Sequence, residues 1–219
     1  DRMNFFTSGV RQIGITTRSV SGLVPDIGSY ESSLERDFME LARFEPYIES
    51  IQPQPIYLEY FCNNGYTRQY TPDGLILFDE TSGVSPILYE IKYREDFRQS
   101  WKVLLPKFRA AKKLCYERGW QFKVFTEREI RTAYLANIKF LWAYKIMQFE
   151  TSMLVHILTV LSDLQEADPS LLIAATFSDK TNQAKVIPLM WHLLANHRIG
   201  CDLAEPLNMH SKIWSIEPE

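Results

Sequence analysis

Cysteine is scarce in this sequence, and the few cysteines show no spacing typical of a disulfide scaffold or a metal site. Among 219 residues there are three cysteines, Cys62, Cys115 and Cys201, which are far apart and match no metal-binding spacing. A secreted disulfide scaffold carries a denser and even-numbered set. The four histidines also lack zinc spacing. These absences argue against a disulfide-stabilised secreted domain and a zinc site, and they predict a reducing compartment, the cytoplasm.

Long apolar runs, a strong basic charge and nucleotide-binding motifs are absent as well. No stretch of about 18 apolar residues occurs, so we expect no transmembrane helix and no membrane partner. The net charge is −3, which excludes a protein that holds nucleic acid by overall charge. No Gly-x-x-x-x-Gly-Lys loop or Gly-x-Ser-x-Gly elbow occurs, so ATP use must come from a partner. Because the chain begins with Asp1, a missing signal peptide excludes nothing.

Residues 30–131 predict an α/β or α+β domain with a mixed sheet. Before them, residues 1–29 are rich in Gly, Ser and Thr and predict an irregular arm. The domain opens with a helix from Tyr30, followed by a β-hairpin, two strands, a long helix broken at Pro106 and a last strand. After the first helix the expected segments are 56–61, 66–70, 75–78, 87–93, 97–118 and 121–126. This order of helices and strands is typical of a mixed sheet.

Residues 132–219 predict a second, mainly helical domain. Helices are expected over about 130–147, 152–164, 170–177 and 184–196, with a turn at Asp168-Pro169. Short β segments near 199–202 and 212–216 follow the last helix, and this arrangement predicts a winged-helix-like domain. From Arg131 onward, seven basic residues face nine acidic ones. Charge therefore gives no preference for DNA over a protein partner in this part.

Four charged residues of the first domain suggest a catalytic site. Glu90 and Lys92 are two positions apart on a strand and project to one face, while Ile91 projects into the core. Asp73, at the start of the neighbouring strand, can approach Glu90 across the hairpin, and Glu35 lies on the first helix. Carboxylates on one face suit Mg²⁺, and a nearby lysine can orient a water and offset negative charge. The pattern predicts metal-assisted phosphodiester hydrolysis.

Each part of this pattern also has an ordinary structural interpretation. Pro-Asp pairs are common in turns, and Glu-x-Lys is common on exposed strand faces. Glu31, one turn before Glu35, is interpreted as a helix N-terminal carboxylate rather than as a further site acid. The context favours a nuclease, because an acidic helix precedes the charged strand and a basic helix follows it.

Several short segments that follow one another in a fixed order make the pattern more specific. The segments are Glu31–Phe38, Gln52-Pro53, Arg68–Asp73, Tyr89–Lys92, Phe108–Ala111, Gly119–Phe122 and Thr126–Ile130. Through them the sequence resembles the TnsA family of endonuclease subunits of heteromeric DNA transposases, over about residues 18–142. Related subunits occur in CRISPR-associated transposons.

The resemblance implies a restriction-endonuclease-like fold for the first domain. It also implies that two different enzymes cut the two DNA strands in transposition. The enzyme would cut the non-transferred strand at the 5′ ends of the transposon, using Mg²⁺, for which Mn²⁺ can substitute. A DDE transposase, TnsB, would cut and join the 3′ ends. An AAA+ ATPase regulator, TnsC, would contact the C-terminal part. These partners and transposon-end DNA imply the cytoplasm of a bacterium.

The resemblance also assigns roles to residues of this chain. Glu35, Asp73, Glu90 and Lys92 match the family's catalytic positions. The implied metal ligands are Glu35, Asp73 and Glu90, together with the backbone carbonyl of Ile91. One departure is Gly74, where a bulky apolar residue is usual. Glycine loosens the start of a strand, which affects how finely Asp73 is positioned.

The helix after the charged strand is the expected DNA-binding element. Residues 94–118 contain eight basic and three acidic side chains, and basic residues recur at helical spacing. Such a face can neutralise phosphates, although an ordinary solvated helix face gives the same pattern. We expect Trp101, Phe108 and Trp120 to lie in the core. The predicted DNA contacts are Arg94, Arg98, Lys102, Arg109 and Lys113.

Two other functions remain open at this point. The chain could be an adaptor that bridges transposase, regulator and DNA, in which case it would bind no metal through Asp73 and Glu90. It could also be a free-standing restriction-type nuclease, in which case it would cut DNA without partners. The intact set of Asp73, Glu90 and Lys92 favours an active metal site.

Overall fold

The computed structural model describes residues 33–62 and 64–216, which form two units, residues 33–131 and 132–216. The arm expected over residues 1–29 lies outside the described residues, as do Glu31 and the start of the helix expected from Tyr30.

A four-stranded mixed sheet forms the centre of the first unit. Its order is β1-β4-β5-β6; β4 is antiparallel to β1 and β5, and β6 is parallel to β5. Every residue of β5 is buried, as expected for a central strand with both faces covered. This arrangement confirms the mixed α/β fold that the sequence predicts. The strands are β1 (Ile48–Pro53), β4 (Gly74–Phe78), β5 (Ile87–Ile91) and β6 (Gln121–Phe125).

Two amphipathic helices supply apolar side chains to the core of this unit. In α1 (Ser33–Phe44) the fully buried Phe38 stacks 4.7 Å from the ring of Tyr89 on β5. Helix α2 (Arg94–Arg118) buries Leu104, Phe108, Ala111 and Cys115, which recur at helical spacing. Gly119 ends α2 in the left-handed conformation, as the sequence predicts. A short helix, α3 (Glu127–Ile130), follows the last strand of the sheet.

A β-hairpin packs on the α2 side of the sheet, as its sequence pattern predicts. It consists of β2 (Leu58–Phe61) and β3 (Thr67–Tyr70), with Leu58 opposite Tyr70. Tyr60 and Tyr70 point inward and share an apolar cluster with Ala111 and Cys115 of α2. The hairpin is therefore fixed against α2 by side chains of alternate strand positions.

Two features of the first unit differ from the sequence predictions. Strand β1 was not expected, because a bulge between Ile48 and Ser50 puts its buried residues, Ile48 and Ile51, three positions apart and hides the alternation. The break expected at Pro106 is wrong: α2 is continuous from Arg94 to Arg118 with Pro106 inside it. Buried side chains on both sides of Pro106, at Leu104 and Phe108, pack against the rest of the unit and hold the two halves in one helix.

The second unit combines four helices with a small antiparallel sheet of order β7-β9-β8. Its helical pattern agrees with the sequence prediction, but a winged-helix arrangement is not confirmed. Asp168, in the expected turn, caps α6, since its carboxylate accepts from the backbone of Leu171 at 2.8 Å. The elements are α4 (Ala133–Lys145), α5 (Thr151–Leu164), β7 (Glu166–Ala167), α6 (Pro169–Thr176), α7 (Lys180–Ala195), β8 (Ile199–Cys201) and β9 (Ile213–Ser215).

Two further sequence expectations concern thiols and membranes. Cys62, Cys115 and Cys201 form no disulfide bond, and the last two are buried. Within residues 33–62 and 64–216, no helix has the length and apolar character needed to cross a membrane.

Candidate active site

Pairing of β4 with β5 places Asp73 beside Glu90. Gly74 lies opposite Tyr89, so Asp73, one residue earlier, reaches the end of β5 that carries Glu90 and Ile91. One carboxylate oxygen of Asp73 accepts a hydrogen bond from the Ile91 backbone N–H at 2.6 Å. The two strands thus bring together the residues that the sequence predicts to meet.

Glu90 is held at both of its carboxylate oxygens. The side chain is almost completely buried, and the residue is 3% exposed. Its Oε2 atom accepts a hydrogen bond from the Tyr70 hydroxyl at 2.6 Å, and its Oε1 atom lies 3.2 Å from the Lys92 ammonium. Lys92 therefore projects to the same face as Glu90, as expected for strand positions two apart.

The electrostatics of Asp73 are unusual for a carboxylic acid. Burial raises the pKa of Asp73 to about 7, with the charge of Glu90 adding to the effect of burial. The Ile91 N–H and the Lys92 cation act in the opposite direction but do not compensate. Two carboxylates held together under partial burial thus lack enough positive charge for both to be ionised easily.

Lys92 stays a cation in this setting. Burial lowers the pKa of Lys92, but the charges of Glu90 and Asp73 outweigh that effect, so the pKa lies above its usual value. The ammonium is one-third exposed and is available to a substrate from solvent.

Glu35 lies on α1, half buried, near this pair of acids. Its charge contributes to raising the pKa of Asp73 and that of Lys92. Among the described residues, however, no three His, Cys, Asp or Glu side chains group closely enough to hold a metal ion by themselves. The assignment of Glu35 as a third ligand stays a prediction.

The donor set of Asp73 and Glu90 fits a hard divalent cation. Mg²⁺ binds oxygen donors, and in enzyme sites one or two carboxylates are enough because waters and substrate phosphates fill the other positions. The raised pKa of Asp73 indicates that nearby positive charge does not fully compensate the two carboxylates. A bound divalent ion would supply that charge. The residues to hold it are Asp73 and Glu90, with the carbonyl of Ile91 as the predicted third donor.

Tyr70 is a member of this site that the sequence prediction missed. Its hydroxyl contacts Glu90 across 20 residues of chain, and burial followed by the charge of Glu90 raises the pKa of Tyr70 far above its ordinary value. Position 70 ends β3, three residues before Asp73, and is the one buried residue of that strand. Its closeness in sequence to Asp73 was the available signal.

Gly74 is explained by its neighbour across the sheet. A Cβ atom at position 74 would overlap the phenol group of Tyr89, which is 3% exposed and stacked on Phe38. The glycine therefore admits a buried tyrosine directly beside Asp73.

A polar network fixes α1 to the end of the first unit. Asp37 is 5% exposed, and one of its carboxylate oxygens accepts from Arg131 Nε at 2.8 Å. The same guanidinium donates to Ser33 Oγ, which lies 3.1 Å from the Tyr93 hydroxyl. This network orients the helix that carries Glu35.

The predicted DNA contacts Arg94, Arg98, Lys102, Arg109 and Lys113 are all exposed on α2. Two of them form weak pairs along the helix, Arg98 with Glu95 at 3.8 Å and Lys113 with Glu117 at 3.9 Å. The backbone N–H of Arg94 donates to Glu127 at 2.9 Å. The side chains are thus accessible to phosphates, and their role in binding DNA stays a prediction.

Comparison with known protein families covers most of both units. Residues 45–127 match the family model described as TnsA-like endonuclease N terminal, and residues 129–203 match the one described as TnsA endonuclease C terminal. No curated protein matches the chain. The two matches follow each other in the order of the family and include Asp73, Glu90 and Lys92. The chain belongs to the TnsA family, the endonuclease subunits of DNA transposases.

Proposed function

We propose that this chain is a Mg²⁺-dependent endonuclease that cuts the non-transferred strand at the 5′ ends of a transposon during cut-and-paste transposition. The observation that carries the proposal is the pair of carboxylates of Asp73 and Glu90, held side by side with the Lys92 ammonium 3.2 Å from Glu90. Its first unit would be a restriction-endonuclease-like core, with α1 and α2 flanking the sheet that carries the site.

Each residue of the site has a chemical task in this proposal. When bound, Mg²⁺ supplies charge neutralisation at the scissile phosphate and an acidified water. Asp73 and Glu90 would hold the ion, and the hydrogen bond from Ile91 N–H fixes the orientation of the Asp73 carboxylate. Lys92 would donate hydrogen bonds to the attacking water and offset negative charge that develops on the phosphate.

The partners follow from the family and belong to the same proposal. A TnsB-like DDE transposase would cut and join the 3′ ends, and a TnsC-like AAA+ regulator would contact the second unit. Residues 132–219 hold six basic and nine acidic side chains, so charge gives this unit no mandate for binding DNA. A winged-helix arrangement of this unit stays part of the proposal.

Replacing Lys92 tests the catalytic assignment. Lys92→Ala is expected to lower the rate of 5′-strand cleavage at least about 100-fold, because one charge-stabilising donor is commonly worth two orders of magnitude in rate. The measurement is strand-specific cleavage of end-labelled transposon-end DNA by the complete transposase in Mg²⁺. Lys185→Ala, which removes a surface lysine of the second unit, is the matched control.

The same assay separates the rival functions. Cleavage by Lys92→Ala at the wild-type rate would reject the site. An adaptor would support 3′-strand joining without any Mg²⁺ or Mn²⁺ binding that depends on Asp73 and Glu90. A free-standing nuclease would cut the DNA when the other subunits are left out.

A further inference from the structure

A groove of about 300 Å³ opens between the β2–β3 hairpin and α2, apart from the carboxylate pair. Its walls include Tyr60 and Arg68 from the hairpin and Lys102 and Val103 from α2, with Asn64 at the hairpin turn. Of the described residues that line it, two are cationic and none is acidic. We refer to it as the hairpin groove.

The two cations of the hairpin groove are not paired with acidic side chains. Within the part of the chain that the structure describes, neither Arg68 nor Lys102 has an ion-pair partner. Arg98 and Lys113 of α2, which lie outside the groove, pair with glutamates one turn away. Arg68 and Lys102 are thus both available to a negatively charged ligand.

Strand β3 connects the groove to the catalytic residues. Arg68 and Tyr70 are two positions apart on β3 and face the same side, and the Tyr70 hydroxyl contacts Glu90. A strand rises about 3.4 Å per residue, so the backbone of Arg68 is about 7 Å from that of Tyr70. The groove therefore borders the part of the hairpin that contacts the catalytic site.

Exposed aromatic side chains occur on the hairpin and on α2, the two elements that form the groove. Phe61 and Tyr66, at the far end of the hairpin, are 77% and 70% exposed, and Trp101 on α2 is 48% exposed. The expectation that Trp101 lies in the core is therefore wrong, whereas Phe108 is buried and Trp120 is partly buried. Aromatic side chains beside cations are typical of surfaces that follow a nucleic-acid strand.

We propose that the hairpin groove binds the sugar–phosphate backbone of the DNA that the enzyme cuts, close to the scissile phosphate. Arg68 and Lys102 hold phosphates there. These contacts position the DNA strand so that its scissile phosphate lies at Asp73 and Glu90. This assignment rests on the proposed nuclease function. It adds Arg68, which the sequence pattern of α2 does not contain, to the DNA contacts.

Salt-dependent DNA binding tests the groove without relying on cleavage. The probe is a fluorescent 30-base-pair duplex of arbitrary sequence (about 30 pairs suffices because phosphate contacts carry no sequence information). Binding is measured by anisotropy from about 20 to 200 mM salt, in protein that carries Asp73→Asn throughout. We expect Arg68→Ala with Lys102→Ala to weaken binding at least about 10-fold at low salt and to reduce the slope of log Kd against log salt by about 2.

A charge-matched pair provides the control. Arg128→Ala with Lys112→Ala removes one arginine and one lysine that are exposed in the same unit but outside the groove. An equal loss in both pairs, an unchanged slope in the groove pair, or no binding by the parent at low salt would overturn the proposal. The assay measures binding and not cleavage. The DNA-binding role of the groove can therefore be confirmed even if the enzyme proves inactive, and it can be rejected even if the wild-type enzyme cuts normally.

A second inference rests on a different contact, the hydrogen bond from Tyr70 to Glu90. Tyr70 is 6% exposed, its hydroxyl lies 2.6 Å from Glu90 Oε2, and the Lys107 ammonium lies 5.5 Å from the centre of its ring. We infer that Tyr70 is a positioning residue that fixes the Glu90 carboxylate for the metal. A neighbour that orients a ligating carboxylate typically accounts for 10-fold to 100-fold in metal affinity.

Tyr70→Phe removes this hydrogen bond and keeps the ring. We expect the Kd for Mn²⁺, measured by calorimetry on the DNA-free protein, to rise about 10-fold, and kcat to fall while KM for DNA is unchanged. Tyr47→Phe is the control, because Tyr47 lies in the same unit, outside the hairpin groove, and does not contact Glu90. Wild-type Mn²⁺ affinity in Tyr70→Phe, or an equal loss in both variants, would overturn the inference.

Discussion

Asp73→Asn is expected to abolish strand cleavage and, at the same time, to stabilise the metal-free protein. The carboxylate is the donor next to Glu90 at the predicted metal position, and loss of a metal site removes several kcal/mol of transition-state stabilisation, or at least about 10³-fold in rate. The amide has nearly the same shape and can still accept the hydrogen bond from Ile91 N–H. It carries no charge to repel Glu90.

The stability gain depends on pH with a defined sign. The pKa of Asp73 is about 7 in the folded chain and 3.8 as the ordinary value, so folding binds a proton between these limits. Metal-free wild-type protein therefore gains stability as pH falls from about 7 towards 4. Above pH 7, Asp73 is ionised in the folded chain, and the full cost of that ionisation lowers the stability. The advantage of asparagine is expected to be about 1 to 3 kcal/mol at pH 8 and to vanish near pH 4.

Denaturant unfolding of both proteins across this pH range, with and without Mn²⁺, measures the effect. Mn²⁺ should stabilise the wild type and leave Asp73→Asn unchanged. Asp79→Asn is the matched control, since Asp79 follows β4 as Asp73 precedes it. The Thr81 hydroxyl and the backbone N–H groups of Thr81 and Ser82 hold the pKa of Asp79 below its usual value, so this change should not stabilise the protein. A destabilised Asp73→Asn that still cuts would refute the site.

The sequence was sufficient to place the centre of the site because that placement depends on local rules. Period-2 alternation puts Glu90 and Lys92 on one face, and a hairpin between neighbouring strands brings Asp73 to the same edge. The resemblance of ordered motifs then indicated the family, which the matches over residues 45–203 confirm. Both inferences use information that lies within short segments of chain.

What the sequence did not reveal depends on contacts between segments. The hydrogen bond from Tyr70 to Glu90 and the space that Gly74 leaves for Tyr89 exist only once strands have paired. Strand β1 was hidden by its bulge, and the continuity of α2 through Pro106 comes from packing on both sides of the proline. The conformational preferences of single residues do not predict any of these features.

Gly74→Ala is expected to damage both the fold and the site. The added methyl group would overlap the Tyr89 phenol, which is 3% exposed and packs against the rings of Phe38 and Phe125. Overpacking of this kind typically costs about 1 to 3 kcal/mol and sometimes more. Since Asp73 is the adjacent residue, the strand start must shift and lengthen its hydrogen bond to Ile91, so the rate of cleavage should also fall.

A double-mutant cycle with Tyr89→Leu shows whether the overlap is the cause. Leucine removes the ring at the point of overlap, so Gly74→Ala should cost much less in the Tyr89→Leu background, with a coupling energy of about 1 to 3 kcal/mol. Gly83→Ala serves for comparison: its cost comes from a φ of 63°, with open space around it, and should be the same in both backgrounds. Additive costs for Gly74→Ala and Tyr89→Leu would mean that strand flexibility, rather than the tyrosine, requires glycine beside Asp73. A family member with a bulky residue at position 74 should therefore have a smaller residue at position 89, because the two share one volume.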